Sequence, residues 1–212
     1  MKAVIFDLDG VLVSTDDYHY QAWKQMADEE KIYFDRTINE RLRGVSRMAS
    51  LEIILEKSTK EYSPDDKNTL AERKNAYYVE KIQSITANDI LPGSMETIRA
   101  LKTKNIKIAV GSSSKNAPLI LKRLGIDELF DAVVDGNQIT HSKPNPEVFV
   151  KCAEKMNIEP SECLVVEDAQ SGIEAGYNAG MKTLAVGSAQ ESPLADYRAD
   201  SLKDIDLANI VA

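Results

Sequence analysis

The stretch Met1-Lys2-Ala3-Val4-Ile5-Phe6-Asp7-Leu8-Asp9-Gly10 decides how this chain is read. An apolar run of strand length ends abruptly in two carboxylates set two residues apart. In extended backbone, residues i and i+2 point to the same side. Such a pair contributes little to packing but suits phosphoryl transfer, where one carboxylate attacks phosphorus and the other moves a proton beside it. Gly10 lets the chain turn away sharply. The plainer reading, a strand followed by an acidic turn, stands or falls with the rest of the chain.

Outward from that tip, further short apolar runs read as buried parallel strands: 106–110, 132–134, 164–166 and 183–186. Helical stretches lie between them at 93–104, 116–124, 146–156 and 171–179. This alternation predicts an α/β fold, a Rossmann-like parallel sheet core with helices on both faces. Ligands of such sheets bind beyond the carboxyl ends of the strands. From residue 14 to 88 the alternation stops. That segment is charged, rich in helix formers and without an evident strand, with helices expected at 17–30, 39–43, 46–57 and 64–85. Ser63, Pro64 and Asp66 make an N-cap, a first-turn proline and an approximate capping box. The expected organisation is a core of residues 1–13 and 89–212 carrying an inserted α-helical cap of residues 14–88.

Composition sets limits. The 212 residues are 43% hydrophobic, enough for a real core. No run approaches the roughly 18 apolar residues of a bilayer span. The first strand is too short, and breaks too early at Asp7, for a signal peptide. Cys152 and Cys163 form no metal-type pattern and fit a reducing, cytoplasmic setting. A net charge of −8 argues against a nucleic-acid partner. It does not argue against a phosphorylated metabolite, which local cations and a divalent metal can hold. No heptad or unusual hydrophobic tract suggests an obligate partner, so a two-lobed monomer is expected.

Four segments carry chemistry, each with a plainer reading beside it. Asp7 and Asp9 end the first strand. Gly111-Ser112-Ser113-Ser114-Lys115-Asn116 follows the second; it reads equally as a serine-rich helix cap or as a phosphate cradle. Ser142-Lys143-Pro144-Asn145-Pro146 holds a lysine between prolines, either a fixed point charge beside a phosphoryl group or a solvated lysine at a helix start. Val166-Glu167-Asp168 is a second strand ending in acid. Its hard oxygens could complete a magnesium site with Asp7, or simply favour a helix N-terminus. In the insert, Thr15, His19 and Trp23 share one helical face. A lone histidine is more often a surface or satisfied core group, and Trp23 reads more readily as core. Gly44-Val45-Ser46-Arg47, with Ser50 a turn later, places an arginine at a loop-to-helix junction, where it can bind a phosphate bidentately. Lys74 reads by composition as a charge on a solvated face.

The order of these segments along the chain resembles the haloacid dehalogenase superfamily of phosphotransferases, and the cap segments resemble its phosphomutase branch. The resemblance implies Asp7 as nucleophile and Asp9 as acid/base. It implies Mg2+ held by Asp7, the Asp9 carbonyl and Asp168, with Glu167 beside them. Ser112, the Ser113 backbone and Lys143 would hold the transferring phosphate; Arg47, Ser114, Lys115 and Asn116 would hold the distal one. Thr15, His19 and Lys74 would couple cap closure to the placement of Asp9. The implied reaction interconverts β-glucose 1-phosphate and glucose 6-phosphate, with β-glucose 1,6-bisphosphate as intermediate and activator. Two positions depart from the pattern: Ser14 stands where an aspartate commonly precedes the threonine, and Ser113 replaces a smaller alanine. The competing readings are a sugar-phosphate or phosphoglycolate phosphatase of the same fold and a non-catalytic sugar-phosphate sensor.

Overall fold

A computed structural model describes residues 1–42 and 45–211. Strand β1 (Ala3–Phe6) is wholly buried, as its unbroken apolar sequence requires. It lies between β2 (Lys107–Gly111) and β4 (Cys163–Glu167) in a six-stranded sheet of order β3-β2-β1-β4-β5-β6, parallel throughout. The others are β3 (Ala132–Val134), β5 (Lys182–Val186) and β6 (Tyr197–Ala199). Four helices connect the strands: α5 (Ser94–Thr103), α6 (Ala117–Leu124), α7 (Glu147–Met156) and α8 (Gln170–Asn178). Helix α9 (Leu207–Ile210) closes the described chain. Residues of α7 and α8 share one core cluster with Ala3, Ile5, Ala109 and Val165, which alternate out of the sheet on one face. Among the described residues no helix is long and apolar enough to cross a membrane.

Register places the site. Phe6 pairs with both Val110 and Val166, so β1, β2 and β4 end level. The next residues, Asp7, Gly111 with Ser112, and Glu167, therefore emerge together at the carboxyl edge. This is also where the strand order reverses direction around β1, the usual ligand-binding crevice of such sheets.

Residues Thr15–Ile85 form a second compact unit; the first comprises Met1–Ser14 and the chain from Thr86 onward. The second unit is helical: α1 (Asp16–Glu29), α2 (Arg36–Glu40), α3 (Arg47–Leu55) and α4 (Pro64–Ile82). Trp23, Met26, Phe34, Leu51, Ile54 and Leu70 belong to its own apolar core. The capping box at Ser63 forms with Asp66.

One expectation is corrected, and two elements had no signal in the sequence. The second helix begins at Arg36 rather than Asn39, because the Asp35 carboxylate accepts from the Ile38 N–H at 2.9 Å and starts it earlier. Strand β6 has no apolar run to announce it. It is a short edge strand defined by its pairing with β5. Helix α9 is one turn long, too short for periodicity to show.

Candidate active site

The Asp7 N–H donates to the Val166 carbonyl at 2.9 Å, which fixes the first residue beyond β1 against β4. The Lys143 ammonium reaches Asp7 Oδ1 and Glu167 Oε1, each at 2.5 Å. All three side chains are buried. Burial pulls the lysine toward neutrality, but Asp7 and Glu167 outweigh it and hold its pKa above the ordinary ammonium value. Lys143 is therefore a permanent cation, and its Nζ also sits 4.7 Å from the centre of the Phe149 ring. The neighbouring Pro144 and Pro146 stiffen its loop, and Asn145 accepts from the Glu147 N–H at 3.0 Å. The solvated-lysine reading is thus wrong for this residue.

Carboxylate oxygens of Asp7, Glu167 and Asp168 lie within 4.8 Å of one another. Glu167 spends both oxygens locally, one on Lys143 and the other on the Ala169 N–H at 2.9 Å. Asp168 is pushed up to about 8 by burial first, then by the negative charges of Glu167, Asp7 and Asp9. Several acids around one ammonium leave excess negative charge, and hard oxygens make it a fit for a small divalent cation. Two glycines make room for these acids. A Cβ on Gly10, which has φ +78°, would lie 2.0 Å from Asp168 Oδ2. One on Gly172 would lie 1.9 Å from Glu167 Oε1.

The hydroxyl loop follows β2. The Ser112 N–H donates to the Val134 carbonyl at 3.0 Å, and Ser112 Oγ accepts from the Ser114 N–H at 3.1 Å. Ser114 Oγ accepts in turn from the Asn116 N–H at 3.2 Å. The loop's shape is held by its own hydroxyls, and α6 begins beyond it, after Asn116, without a side-chain cap. Ser113 Oγ is buried with no partner among the described residues. From the β3 side, Asn137 Nδ2 donates to the Lys115 carbonyl at 3.0 Å, while the Lys115 side chain stays exposed.

In the helical unit, Lys74 is buried. Its ammonium is 2.8 Å from His19 Nδ1 and lies over the rings of Trp23 and Tyr78, at 4.6 and 4.7 Å from their centroids. An ammonium has only donors, so Nδ1 accepts and the ring proton sits on Nε2. Burial, then Lys74, then Arg47 hold His19 well below its ordinary pKa. Tyr78 stacks on His19 at 4.0 Å and donates to Thr15 Oγ1 at 3.1 Å. Sequence reading missed this tyrosine, although it lies one helical turn beyond Lys74. Trp23 is packed in the core of that unit and carries Lys74 on its face. Lys74 itself is no solvated charge. Arg47 is half-buried and donates to Asn75 Oδ1 at 2.8 Å. Ser46 caps α3, accepting from the Ala49 N–H at 3.3 Å, and Ser50 is a buried residue of that helix. Val45 is exposed. Gly44 lies outside the described residues.

The comparisons with known proteins agree with this geometry. A family model described as haloacid dehalogenase-like hydrolase matches residues 1–180. The chain is 44% identical to a β-phosphoglucomutase of Bacillus subtilis over 98% of its own length and 92% of that protein. It is 30% identical to a phosphorylated carbohydrates phosphatase of Thermotoga maritima, covering 87% and 84%. Among solved structures, a β-phosphoglucomutase from Clostridium difficile superposes with a TM-score of 0.92 at 42% identity, over 99% of this chain and 95% of that one. With a buried lysine bridging the acids at two strand ends, and a family match over most of its length, the chain belongs to the haloacid dehalogenase-like hydrolases.

Proposed function

We propose that this protein is a phosphomutase that interconverts β-D-glucose 1-phosphate and D-glucose 6-phosphate through an aspartyl-phosphate enzyme. The observation that carries the phosphoryl chemistry is the Lys143 ammonium, held at 2.5 Å from both Asp7 and Glu167 at the carboxyl edge of β1 and β4. Likeness to two β-phosphoglucomutases above 40% identity supports the mutase over the other activities of the family.

In this reading Lys143 orients Asp7 Oδ1 for in-line attack and offsets negative charge on the transferring phosphoryl group. Asp9 takes the proton from the 6-hydroxyl of β-glucose 1-phosphate while phospho-Asp7 gives up its phosphoryl group. The resulting β-glucose 1,6-bisphosphate turns end for end. Asp7 then attacks phosphorus at the carbon-1 phosphate, Asp9 protonates the leaving oxygen, and glucose 6-phosphate departs. Ser112, the Ser113 backbone and Lys143 receive the transferring phosphate. Arg47, Ser114, Lys115 and Asn116 receive the distal one. Asp7, Asp168 and the Asp9 carbonyl would hold Mg2+, whose charge would offset that of the crowded carboxylates and the phosphate. Glu167 serves by fixing Lys143.

Water is the competitor, because hydrolysis of phospho-Asp7 would make the protein a phosphatase. The helical unit is assigned the task of excluding it during turnover. Thr15, His19 and Lys74 form the part of that unit that answers the presence of substrate. The phosphatase reading shares the whole core site and differs in the fate of the phosphoryl group. A sensor would not need both Asp7 and Asp9. The protein is proposed to act as a cytoplasmic monomer on sugar phosphates, without nucleic acid or membrane as partner.

The test is one sample containing β-glucose 1-phosphate, Mg2+ and a trace of glucose 1,6-bisphosphate, followed for glucose 6-phosphate and for inorganic phosphate. Glucose 6-phosphate with little free phosphate is expected. Phosphate release without isomerisation would replace the mutase by a phosphatase. Neither product would remove the catalytic assignment.

A further inference from the structure

Arginines 36, 41, 47 and 73 are the described arginines of the helical unit, and Arg47 is treated differently from the other three. Arg36 pairs with Asp17, Arg41 with both oxygens of Glu56, and Arg73 with Glu29 and Glu30. Each of those cations is neutralised where it stands. Among the described residues Arg47 forms no ion pair with a carboxylate, and the partner that holds its guanidinium is the amide oxygen of Asn75, at 2.8 Å and partly buried. Burial lowers its pKa below the ordinary guanidinium value, yet the group stays charged at any working pH.

A half-buried guanidinium needs an acceptor to fix its plane. A carboxylate would do so more strongly, but it would cancel the charge. An amide oxygen fixes orientation and leaves the full positive charge directed at whatever anion arrives. We infer that Asn75 is a positioning residue for the distal phosphate: it sets the plane of Arg47 through a neutral acceptor so that bidentate binding needs no reorganisation. This rests on the mutase reading, in which Arg47 faces that phosphate. The position also explains why the chain pairs Asn75 with Lys74 on α4. One residue is the cation beside His19, and the next anchors the arginine of α3.

The experiment measures kcat/KM for β-glucose 1-phosphate in wild type, N75A, N75D, R47A and the R47A/N75A double variant, with thermal midpoints recorded for each. The wild-type assay tests the mutase reading by itself, so its failure is distinct from failure here. N75A is expected to lose about five- to tenfold while Arg47 is present, and nothing further once Arg47 is gone. An equal loss in both backgrounds, or none in either, overturns the positioning role. N75D keeps an acceptor of the same shape and is expected to fold with an unchanged or higher midpoint, yet to fall below N75A in kcat/KM because it neutralises Arg47. Recovery of wild-type kcat/KM by N75D would overturn the requirement for a neutral acceptor.

Discussion

Asp7 and Lys143 lie far apart in sequence and 2.5 Å apart in space, and the proposed chemistry rests on that contact. Asp7→Asn is expected to abolish transfer, since an amide cannot form the acyl phosphate. Wild-type turnover by that variant in the coupled assay would refute the nucleophile. Lys143→Ala removes the cation that bridges two buried acids, and a loss of about 10²–10³ in kcat is expected. Gly172→Ala is the sharper structural probe. Its Cβ would overlap Glu167 Oε1, so the glutamate must move and release Lys143. The loss of activity should therefore approach that of Lys143→Ala, although no catalytic group has been changed. His19 provides a pH prediction. Its folded pKa is depressed, so below the ordinary value of about 6.5 the unfolded chain binds a proton that the folded chain refuses. Stability should fall as pH drops below that value, with the charges of Lys74 and Arg47 and the ring of Tyr78 facing the imidazole. The His19 ring signals, assigned by comparison with His19→Gln, should show no titration near pH 6.5. A midpoint there would contradict the burial argument. The acidic tips were legible because carboxylates at the end of a buried run make no sense as packing. The lysine bridge, Tyr78 and the spacing of Gly172 from Glu167 were not, because each depends on a contact that one-dimensional spacing does not encode.

At the scale of elements, the central strands could be read because parallel strands buried on both faces show as uninterrupted apolar runs. Strand β6 could not, because an edge strand with exposed positions has no such signature. Helix α4 was readable from its cap, and the start of α2 was misplaced because the capping role of Asp35 went unrecognised. The hydroxyls that terminate β2 were ambiguous for a physical reason: the hydrogen bonds that cap a helix are of the same kind as those that shape a phosphate loop. Helix caps also yield a test. Ser63→Ala should destabilise the helical unit by about 1 kcal/mol without altering the core site. Hydrogen exchange should show faster opening within residues 64–82 and unchanged protection in β1 and β4.

For the whole molecule, the excess of carboxylates at one sheet edge should make stability respond to metal. Asp168 holds its proton up to about 8 when folded and loses it near 4 when unfolded, so its contribution to stability is lost as pH rises between those values. At pH 8.5 in a chelator, Asp168→Asn should melt higher than wild type. Added Mg2+ should raise the wild-type midpoint and leave that of the variant nearly unchanged. A variant that melts lower in chelator would show that repulsion does not govern this site. The central position of β1 carries a different consequence. Its two partners begin at Lys107 and Cys163, with the whole helical unit translated in between. At about 5–20 residues per second, roughly 5–20 s pass on the ribosome before the first neighbour of β1 exists, and longer before the second. During that interval Ala3–Phe6 is an unpartnered apolar segment, while residues 15–85 already have a core of their own to form. Synthesis order therefore inverts spatial order: the strand at the middle of the sheet emerges before its neighbours and is enclosed only when β4 arrives.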